Sequence, residues 1–537
     1  MKKIYSIFLL FSVVFLTACY DDKGNYDYKD INEIKISFDG EGFLSKTFGE
    51  VLELKPTFNI DLSQNPDRYT YLWKLNDETR EGWDQPTFKW KIDEVVQHGN
   101  ISLEVTDKQT GVVYMERVTL EVVGVYENRC SWMILSDVGG KSQLSYFNTL
   151  EYDENADTII ASRLILDVYG IANNGAELGS GPIALQEHFR EKIEWSENIV
   201  GNICVFQESG AVDLSGVSFE KEIDMVEAFD GGVYPKEGIV LHPGTFMDWV
   251  DVVTDQEGQL YSRLKVTSTV YNSDYFLHTP LCCEGESEPL RNCTVIHGYY
   301  RSNRTGYNFI YDGENKRLLY VTNGGTNRDS ELLGAGRISK LPACGENDDI
   351  NAIIPLDNMK GYELLKATMF GFGYPNYGVA LLLKEEATDK IFLERVKFKG
   401  SGGNPTIVEI CKDEVMGLPG IPTVSTMPLS GPEYMFFAVG KDVYYMDFNN
   451  TQNPVVLYKS FNANIVAMNA ESATYYGAHM AVGLENGEFY VLFIYGAKNL
   501  SEEEKVLYPK NGMAYPEEER MGRIVDIQYK QLDHWNY

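Results

Sequence analysis

Paired strands recur along most of this chain, and this repeat constrains the fold more than any other feature. From residue 130 onward, an apolar strand, a turn that usually carries glycine and a second alternating strand recur at intervals of roughly 45 to 75 residues. A single hairpin cannot bury both of its faces, so the repeat predicts sheets that pack against one another. The apolar halves of the seven hairpins begin at Trp132, Ile203, Val252, Phe309, Val379, Met435 and Met480.

Residues 130–537 are therefore predicted to form a β-propeller with seven blades, and six or eight blades are the open alternatives. Ile524–Ile527 is an apolar strand without a hairpin partner, and it is predicted to complete the blade that begins near Trp132. The competing interpretation is a series of β-sandwiches, but the junctions lack linker-like composition. The segment 182–191 interrupts the pattern: Pro182 at its start and the apolar pair Leu185 and Phe189 predict a short helix.

Residues 31–124 predict a separate β-sandwich. Short strands alternate between apolar and polar residues, as in Ile101, Leu103 and Val105. About 95 residues with such strands match the size and pattern of an immunoglobulin-like domain. Trp73 lies in a middle strand, the place of a packed central tryptophan. The fold class is thus all-β, a sandwich followed by a propeller.

The first 18 residues predict a signal peptide. Lys2 and Lys3 form a basic start, and the apolar run that follows is shorter than the roughly 20 residues that span a bilayer. The run ends in Leu16-Thr17-Ala18-Cys19, which resembles a bacterial lipobox, in which the cysteine becomes the lipidated first residue. The alternative is an ordinary cleaved signal in which Cys19 has no role. Residues 19–30 are predicted to be the lipidated N-terminus and a linker.

Acidic residues follow this cysteine. Asp21 and Asp22 stand two and three positions after Cys19. This arrangement is similar to the signal that sends lipoproteins of the Bacteroidota to the outer face of the outer membrane. The alternative interpretation is a solvated linker.

Composition excludes several classes of function. Without the signal peptide the chain has 45 basic and 79 acidic residues, a net charge of −34. Nucleic-acid binding depends on clustered Lys and Arg, so no nucleic-acid partner is predicted. Seven cysteines remain beyond Cys19, without a C-x-x-C motif, and a disulfide from Cys282 or Cys283 to Cys293 and free thiols are both open.

Motifs for catalysis and cofactors are absent from the sequence. It contains no H-E-x-x-H, no G-x-S-x-G and no P-loop, and its seven histidines are dispersed. No catalytic residue, metal site or cofactor is therefore predicted. Carboxylate pairs suited to glycosidase chemistry must occur by chance among 79 acidic residues, so Asp248 and Asp251 beside Trp249 are not assigned.

Aromatic and arginine side chains in polar loops are the candidate ligand-binding residues. Such loops offer flat apolar faces and hydrogen-bond donors, which suit sugars, peptides or a protein surface. The alternative is that these tyrosines pack within blades. The six candidates are Tyr300, Arg304, Tyr307, Arg328, Tyr374 and Tyr377.

The whole chain resembles the PKD-like family lipoproteins of the Bacteroidota. Tyr71-Leu72-Trp73-Lys74-Leu75 and Ile101-Ser102-Leu103-Glu104-Val105-Thr106-Asp107 correspond to strands of that family's divergent domain, although no Trp-Asp-Phe-Gly-Asp-Gly is present. Trp132-Met133-Ile134-Leu135-Ser136 is similar to the family's entry into its second region.

The resemblance implies a surface lipoprotein that binds a glycan or peptide for a TonB-dependent uptake system of the starch-utilisation type. Its partners would be the outer-membrane bilayer, the transporter and the transporter's surface lipoprotein partner. Two alternatives stay open: a propeller-based glycosidase or lyase, and a purely structural subunit of the uptake complex. The family supplies no catalytic residues, and fold alone does not decide function.

Overall fold

The computed structural model describes most of the chain from residue 33 onward. The described ranges are 33–38, 42–94, 96–126, 130–153, 158–188, 201–247, 249–265, 274–296, 306–323, 334–371, 377–399, 404–428, 432–471, 478–502, 504–510 and 513–530. The chain divides into two compact units. Unit 1 comprises Met1–Lys46, Glu50–Ile92 and His98–Glu121, and unit 2 comprises Thr47–Gly49, Asp93–Gln97 and Val122–Tyr537.

The first eight strands form three small sheets with the orders β2-β8-β7-β5, β1-β4 and β3-β6. The pairs β1–β4, β3–β6 and β5–β7 are antiparallel, as expected for an immunoglobulin-like sandwich. The strands are β1 (Ile36–Ser37), β2 (Phe43–Thr47), β3 (Val51–Leu54), β4 (Thr57–Phe58), β5 (Tyr69–Leu75), β6 (Phe88–Lys91), β7 (Val96–Asp107) and β8 (Val113–Val123).

Trp73 is the centre of the core of unit 1. Its side chain is fully buried, and its ring lies 5.0 Å from that of Phe88 and 5.8 Å from that of Phe38. Its indole Nε1–H donates to the carbonyl oxygen of Gln85 at 2.8 Å, so the buried polar atom is satisfied. The tryptophan predicted to be central from its strand position does occupy the core.

Unit 2 contains seven successive antiparallel sheets, the blades of a propeller, as predicted. Blade 1 consists of β9 (Trp132–Val138), β10 (Lys141–Asp153), β11 (Thr158–Ile165) and β36 (Arg523–Tyr529), with β12 (Gly179–Ser180) beside β10. Blade 2 consists of β13 (Pro182–His188), β14 (Asn202–Gln207), β15 (Val212–Leu214) and β16 (Lys221–Asp224). In the described residues blade 3 has three strands, β17 (Leu241–Phe246), β18 (Val250–Asp255) and β19 (Leu260–Leu264).

The remaining blades have four strands each. Blade 4 consists of β20 (Cys293–Ile296), β21 (Tyr307–Asp312), β22 (Arg317–Thr322) and β23 (Ile338–Lys340). Blade 5 consists of β24 (Tyr362–Gly371), β25 (Tyr377–Glu385), β26 (Ile391–Lys399) and β27 (Thr406–Glu414). Blade 6 consists of β28 (Val424–Thr426), β29 (Tyr434–Val439), β30 (Asp442–Asp447) and β31 (Val456–Ser460). Blade 7 consists of β32 (Ile465–Ala470), β33 (His479–Leu484), β34 (Phe489–Phe493) and β35 (Val506–Tyr508).

Helical structure is minor. The described residues contain one α-helix, α1 (Val168–Ala172), which Asp167 caps by accepting from the amide of Gly170. None of the described helices is long and apolar enough to span a bilayer. The 3₁₀ turns are Leu62–Gln64, Pro66–Arg68, Met225–Ala228, Asp230–Gly232, Ala497–Asn499 and Glu517–Glu519.

Apolar side chains fill the spaces between neighbouring blades. Each of the seven apolar clusters in the described part of unit 2 combines side chains from two consecutive blades. Between blades 7 and 1, for example, Phe147 packs against Phe489 and Tyr508, with ring centroids 5.4 and 4.8 Å apart. Burial of one such side chain stabilises by about 1.5–3 kcal/mol, so each blade depends on both of its neighbours.

The ring is closed by strand pairing between β36 and β9, as predicted for Ile524–Ile527. Tyr529 pairs with Trp132 and Ile527 with Ile134, and a bulge lies between Ile524 and Asp526. The rings of Trp132 and Tyr529 are in edge contact at 5.4 Å. β36 is the inner strand of blade 1 and contacts the inner strands β13 and β32 of the neighbouring blades.

Glycine is required where the closing strand enters blade 1. A Cβ atom on Gly522 would lie 2.1 Å from the carbonyl oxygen of Asp137 on β9. One on Gly487, in the β33–β34 turn, would lie 2.0 Å from the carbonyl oxygen of Met521. Only a residue without a side chain permits these backbone approaches.

The helix predicted over residues 182–191 is wrong for the described part of that segment. Pro182–His188 is β13, the inner strand of blade 2, and it pairs with β14. Proline at the first residue of a strand needs no ladder hydrogen bond, so the same residue that fits a helix start also fits this strand. Gln186 exchanges two hydrogen bonds with the backbone of Gly244 on β17, and these tertiary contacts override the helical spacing.

Truncation tests the closure. A chain that ends at Gly522 lacks β36, exposes the edge of β9 and loses the contact between Trp132 and Tyr529. We expect at least about a tenfold loss of soluble yield and a lower melting temperature. A chain that ends at Lys530 retains β36 and is the matched control, measured by calorimetry and gel filtration. Unchanged melting and solubility of the shorter chain would contradict the closure.

Candidate binding face and central channel

The ends of the blade strands define two faces of the propeller, and one of them holds the candidate site. Each blade has the same strand order, so the C-terminal ends of the inner strands lie on one face, here called the candidate binding face. The inner strands are β36, β13, β17, β20, β24, β28 and β32. The start of each second strand and the end of each third strand lie on this same face because paired strands are antiparallel.

All six predicted ligand-binding residues belong to this face or to the segments between its strand ends in blades 4 and 5. Tyr300 and Arg304 stand between β20 and β21, Arg328 between β22 and β23, and Tyr374 between β24 and β25, and these four lie outside the described residues. Tyr307 and Tyr377 are the first residues of β21 and β25. The strands that flank the six candidate residues thus all belong to two neighbouring blades, blades 4 and 5.

Tyr307 and Tyr377 themselves are buried in the cluster between blades 4 and 5. Burial raises the pKa of Tyr307 to about 12, so the phenol stays protonated. The exposed faces that the sequence led us to expect are absent at these two positions, and their role in binding stays a prediction. Cys19, Asp21 and Asp22 lie outside the described residues.

A small cavity lies along the inner strands of blades 5, 6, 7 and 1. Its volume of about 220 Å³ is below the range of roughly 300–1,000 Å³ typical of small-molecule pockets. Its two charged side chains are Lys366 on β24 and Asp526 on β36. The lining residues are Leu365, Lys366, Leu382, Pro422, Thr423, Val424, Ser425, Val466, Ala467, Met468, Val525 and Asp526.

Asp526 is held by backbone amides on two blades. Its Oδ2 accepts from the amide of Leu185 on β13 at 2.8 Å, and its Oδ1 accepts from the amide of Ile527 at 2.9 Å. Burial raises its pKa from 3.8 to about 6, although the Leu185 amide, Lys366 and the Ile527 amide all act in the opposite direction. A single carboxyl that titrates near pH 6 can exchange a proton, but glycosidase chemistry needs two carboxyls in one site.

A buried charged cluster lies at the strand ends of blade 3. Asp251 accepts from Arg263 Nε at 2.8 Å. Lys265 Nζ lies 3.0 Å from Asp251 Oδ1 in an orientation unsuited to a hydrogen bond, so this contact is an ion pair. Burial alone would raise the pKa of Asp251, but the two cations outweigh it and lower the pKa. Asp251 is therefore held in its ionised form by Lys265 and Arg263.

A second buried cluster lies beside it in blade 2. His188 Nε2 is 2.9 Å from Asp213 Oδ1, and its ring stacks on Phe246 of β17 with centroids 4.4 Å apart. Asn202 donates to Glu222 at 2.8 Å and approaches Asp213 at 3.4 Å. The described polar strand ends of blades 2 and 3 thus pair with one another in packed networks.

Three potential metal ligands that sequence analysis missed meet at the junction of blades 7 and 1. Cys130, Glu471 and His479 each place a ligand atom within 4.8 Å of the others. They are far apart along the chain, and only the strand pairing across the closure brings Cys130 to the other two. Glu471 and His479 flank the connection between β32 and β33. Their short separation in the sequence was the one indication that these two residues lie close together.

Comparison with known proteins identifies the N-terminal part of the chain. The model of the PKD-like family matches residues 19–182. Over these residues the chain is similar to the PKD-like family. The match begins at Cys19 and ends at Pro182, the first residue of β13.

Solved structures show weaker likenesses. A quinonprotein alcohol dehydrogenase-like protein from Bacteroides thetaiotaomicron VPI-5482 is 14% identical, with a TM-score of 0.36 over 88% of this chain and 95% of that chain. A chain of the complex of BBS1N with ARL6DN is 10% identical, with a TM-score of 0.30 over 55% of this chain and 73% of that one. No curated protein matches the sequence.

The raised pKa of Asp526 predicts a pH-dependent contribution to stability. The folded state holds the proton up to about pH 6 and the unfolded state only to about 3.8, so this contribution is present at low pH and is lost as pH rises between those values. Asp526→Asn should remove this dependence. The cavity is open to solvent, so we expect a change of about 1–2 kcal/mol relative to wild type between pH 4 and 7.

Urea unfolding of the propeller at several pH values measures this difference. Glu363→Gln is the control, because the hydrogen bond from Lys384 lowers the pKa of Glu363 and the expected pH dependence has the opposite sign. Parallel curves for wild type and Asp526→Asn would contradict the assignment.

Proposed function

We propose that the protein is a lipid-anchored accessory protein on the outer face of the outer membrane. It is non-catalytic and binds a glycan or peptide nutrient, or a partner protein, for a TonB-dependent uptake system of the starch-utilisation type. The observation that carries the binding role is the position of its candidate residues. The strand ends that flank all six lie on one face of two neighbouring blades.

The lipid anchor is supported by two features that coincide at one residue. The apolar, signal-like run ends at Cys19, and the PKD-like family match begins at Cys19. The net charge of −34 for the chain without its signal does not favour electrostatic attachment to anionic lipid. Acyl chains would then supply the attachment, at about 0.8 kcal/mol for each buried CH₂.

The channel cavity favours binding over the glycosidase alternative. Its described lining has Asp526 as its one carboxyl, and two backbone amides already occupy that group. The volume of about 220 Å³ also leaves little room for a sugar chain. Contact with a glycan or a protein is therefore assigned to the candidate binding face and not to the channel.

The anchor is tested with Cys19→Ala. The wild-type chain should partition into detergent with the membrane fraction, and the variant should lose membrane association because it cannot be acylated. Cys282→Ala, which removes a partly exposed cysteine elsewhere, is the matched control and should partition as wild type does. Unchanged partitioning of Cys19→Ala would refute lipidation. Protease shaving of intact cells should digest the wild-type protein, and full protection until lysis would place it in the periplasm.

Binding is tested by pull-down of the full chain from detergent-solubilised outer membranes and by glycan binding to the purified chain. We expect Arg304→Ala with Arg328→Ala to weaken capture about tenfold or more, since each removes a charged donor. Arg291→Ala, an exposed arginine on the opposite side of blade 4, should leave capture unchanged. Equal loss in the control variant, or no transporter and no glycan bound, would contradict the proposal. Cleavage of the glycan would support the enzyme alternative, and a transporter bound without any ligand would support the structural one.

A further inference from the structure

Three side chains with sulfur, nitrogen and oxygen donors converge where blade 7 meets blade 1. Cys130 stands just before β9, Glu471 directly follows β32, and His479 begins β33. Their exposed fractions are 0%, 1% and 0%. Cys130 also has a positive φ of 54°, a conformation that an L residue keeps only where the surrounding structure imposes it.

The three ligand atoms are close to one another. His479 Nδ1 lies 3.5 Å from Cys130 Sγ and 2.8 Å from Glu471 Oε2, and Sγ lies 4.0 Å from Glu471 Oε1. Ligands of a tetrahedral zinc ion are about 3.4–3.6 Å apart, given bond lengths of about 2.0–2.3 Å. The 3.5 Å between Nδ1 and Sγ already fits, whereas the other two distances involve different oxygens of Glu471, so the carboxylate must reorient to place one oxygen near both other ligands.

Charge balance favours a cation in this buried cluster. Glu471 is fully buried, and a buried carboxylate needs a counter-charge close to it. A cation held between the thiol, the carboxylate and the imidazole would supply that counter-charge.

A divalent cation would balance the negative charge of the thiolate and the carboxylate. We infer that Cys130, Glu471 and His479 form a structural site for Zn²⁺. The thiolate and the carboxylate together neutralise the ion, and the neutral imidazole binds through Nδ1 with its proton on Nε2. The thiol proton is released, so binding one ion frees one proton from the cysteine.

The donor types indicate which metal the site prefers, and the burial indicates whether the ion is structural or catalytic. Thiolate and imidazole ligands select zinc over magnesium or calcium, which prefer oxygen ligands. Complete burial indicates a structural ion, since a catalytic ion keeps a position open to substrate. The hydroxyl of Tyr529 also lies beside the site, 3.4 Å from Glu471 Oε1.

The position of the ion would link blade 7 to blade 1. Cys130 belongs to blade 1, whereas Glu471 and His479 belong to blade 7, and 341 residues separate Cys130 from Glu471. The ion would link the two blades whose junction β36 also closes. The site would therefore hold the closure together from the buried strand ends beneath the candidate binding face.

Metal content and cobalt spectroscopy test the site on the purified, tag-free full chain in detergent. After incubation with Zn²⁺ and gel filtration, we expect about one zinc per chain by mass spectrometry. Cys130→Ser and His479→Ala should each reduce this content at least about fivefold, whereas Cys411→Ser, a partly exposed cysteine in blade 5, should not. A strong chelator should lower the melting temperature of wild type and of Cys411→Ser only.

Cobalt keeps the test decisive if a variant fails to fold. Co²⁺ bound to the wild-type chain should show thiolate-to-metal charge-transfer absorption, which needs no variant to interpret. Absence of that absorption, a zinc content near zero in wild type, or full zinc content in Cys130→Ser would each overturn the proposal.

Discussion

The pairing of β36 with β9 is the interaction on which the propeller depends. Each blade shares an apolar cluster with the blade on either side, so a gap at any junction would expose two cluster faces at once. β36 and β9 come from opposite ends of the propeller sequence, and several features meet where they pair. Gly522 permits the backbone approach to Asp137, Trp132 packs against Tyr529, and Lys530 forms a fully buried ion pair with Glu187 on blade 2 at 3.0 Å.

Buried ion pairs lie near the strand ends of blades 1 to 3, whereas tyrosines occupy the corresponding strand ends of blades 4 and 5. Ion pairs such as Glu187 with Lys530 gain little net stability, because desolvation offsets most of their attraction. In a ring of similar sheets, however, apolar clusters alone discriminate poorly between one neighbour and another. We expect the buried pairs to specify which blades meet.

Sequence patterns predicted the second and third strands of each blade well. A buried hairpin requires apolar residues in its strands and usually a glycine in its turn, and both features are visible in the sequence. The inner strands were harder. Pro182–His188 has helical spacing, and it is a strand because Gln186 and Leu185 bond to neighbouring blades, which no local pattern records. Candidate residues in blades 4 and 5 were found from composition, but the burial of Tyr307 and Tyr377 depends on packing between blades. Cys130, Glu471 and His479 could not be grouped from sequence, since their proximity follows from closure of the ring.

Blade 1 combines strands from both ends of the propeller sequence, so it can be completed only after the rest of the chain is made. Trp132 and Tyr529 are about 400 residues apart, and bringing them together costs about 5 kcal/mol of loop entropy before their contacts compensate. Because the chain emerges from its N-terminus, unit 1 and the hairpins of the early blades can form while blade 1 still lacks its inner strand. Until the final strand arrives, the edge of β9 is open to pairing with other chains. Synthesis that stalls before β36 is made would therefore leave the chain most prone to aggregation.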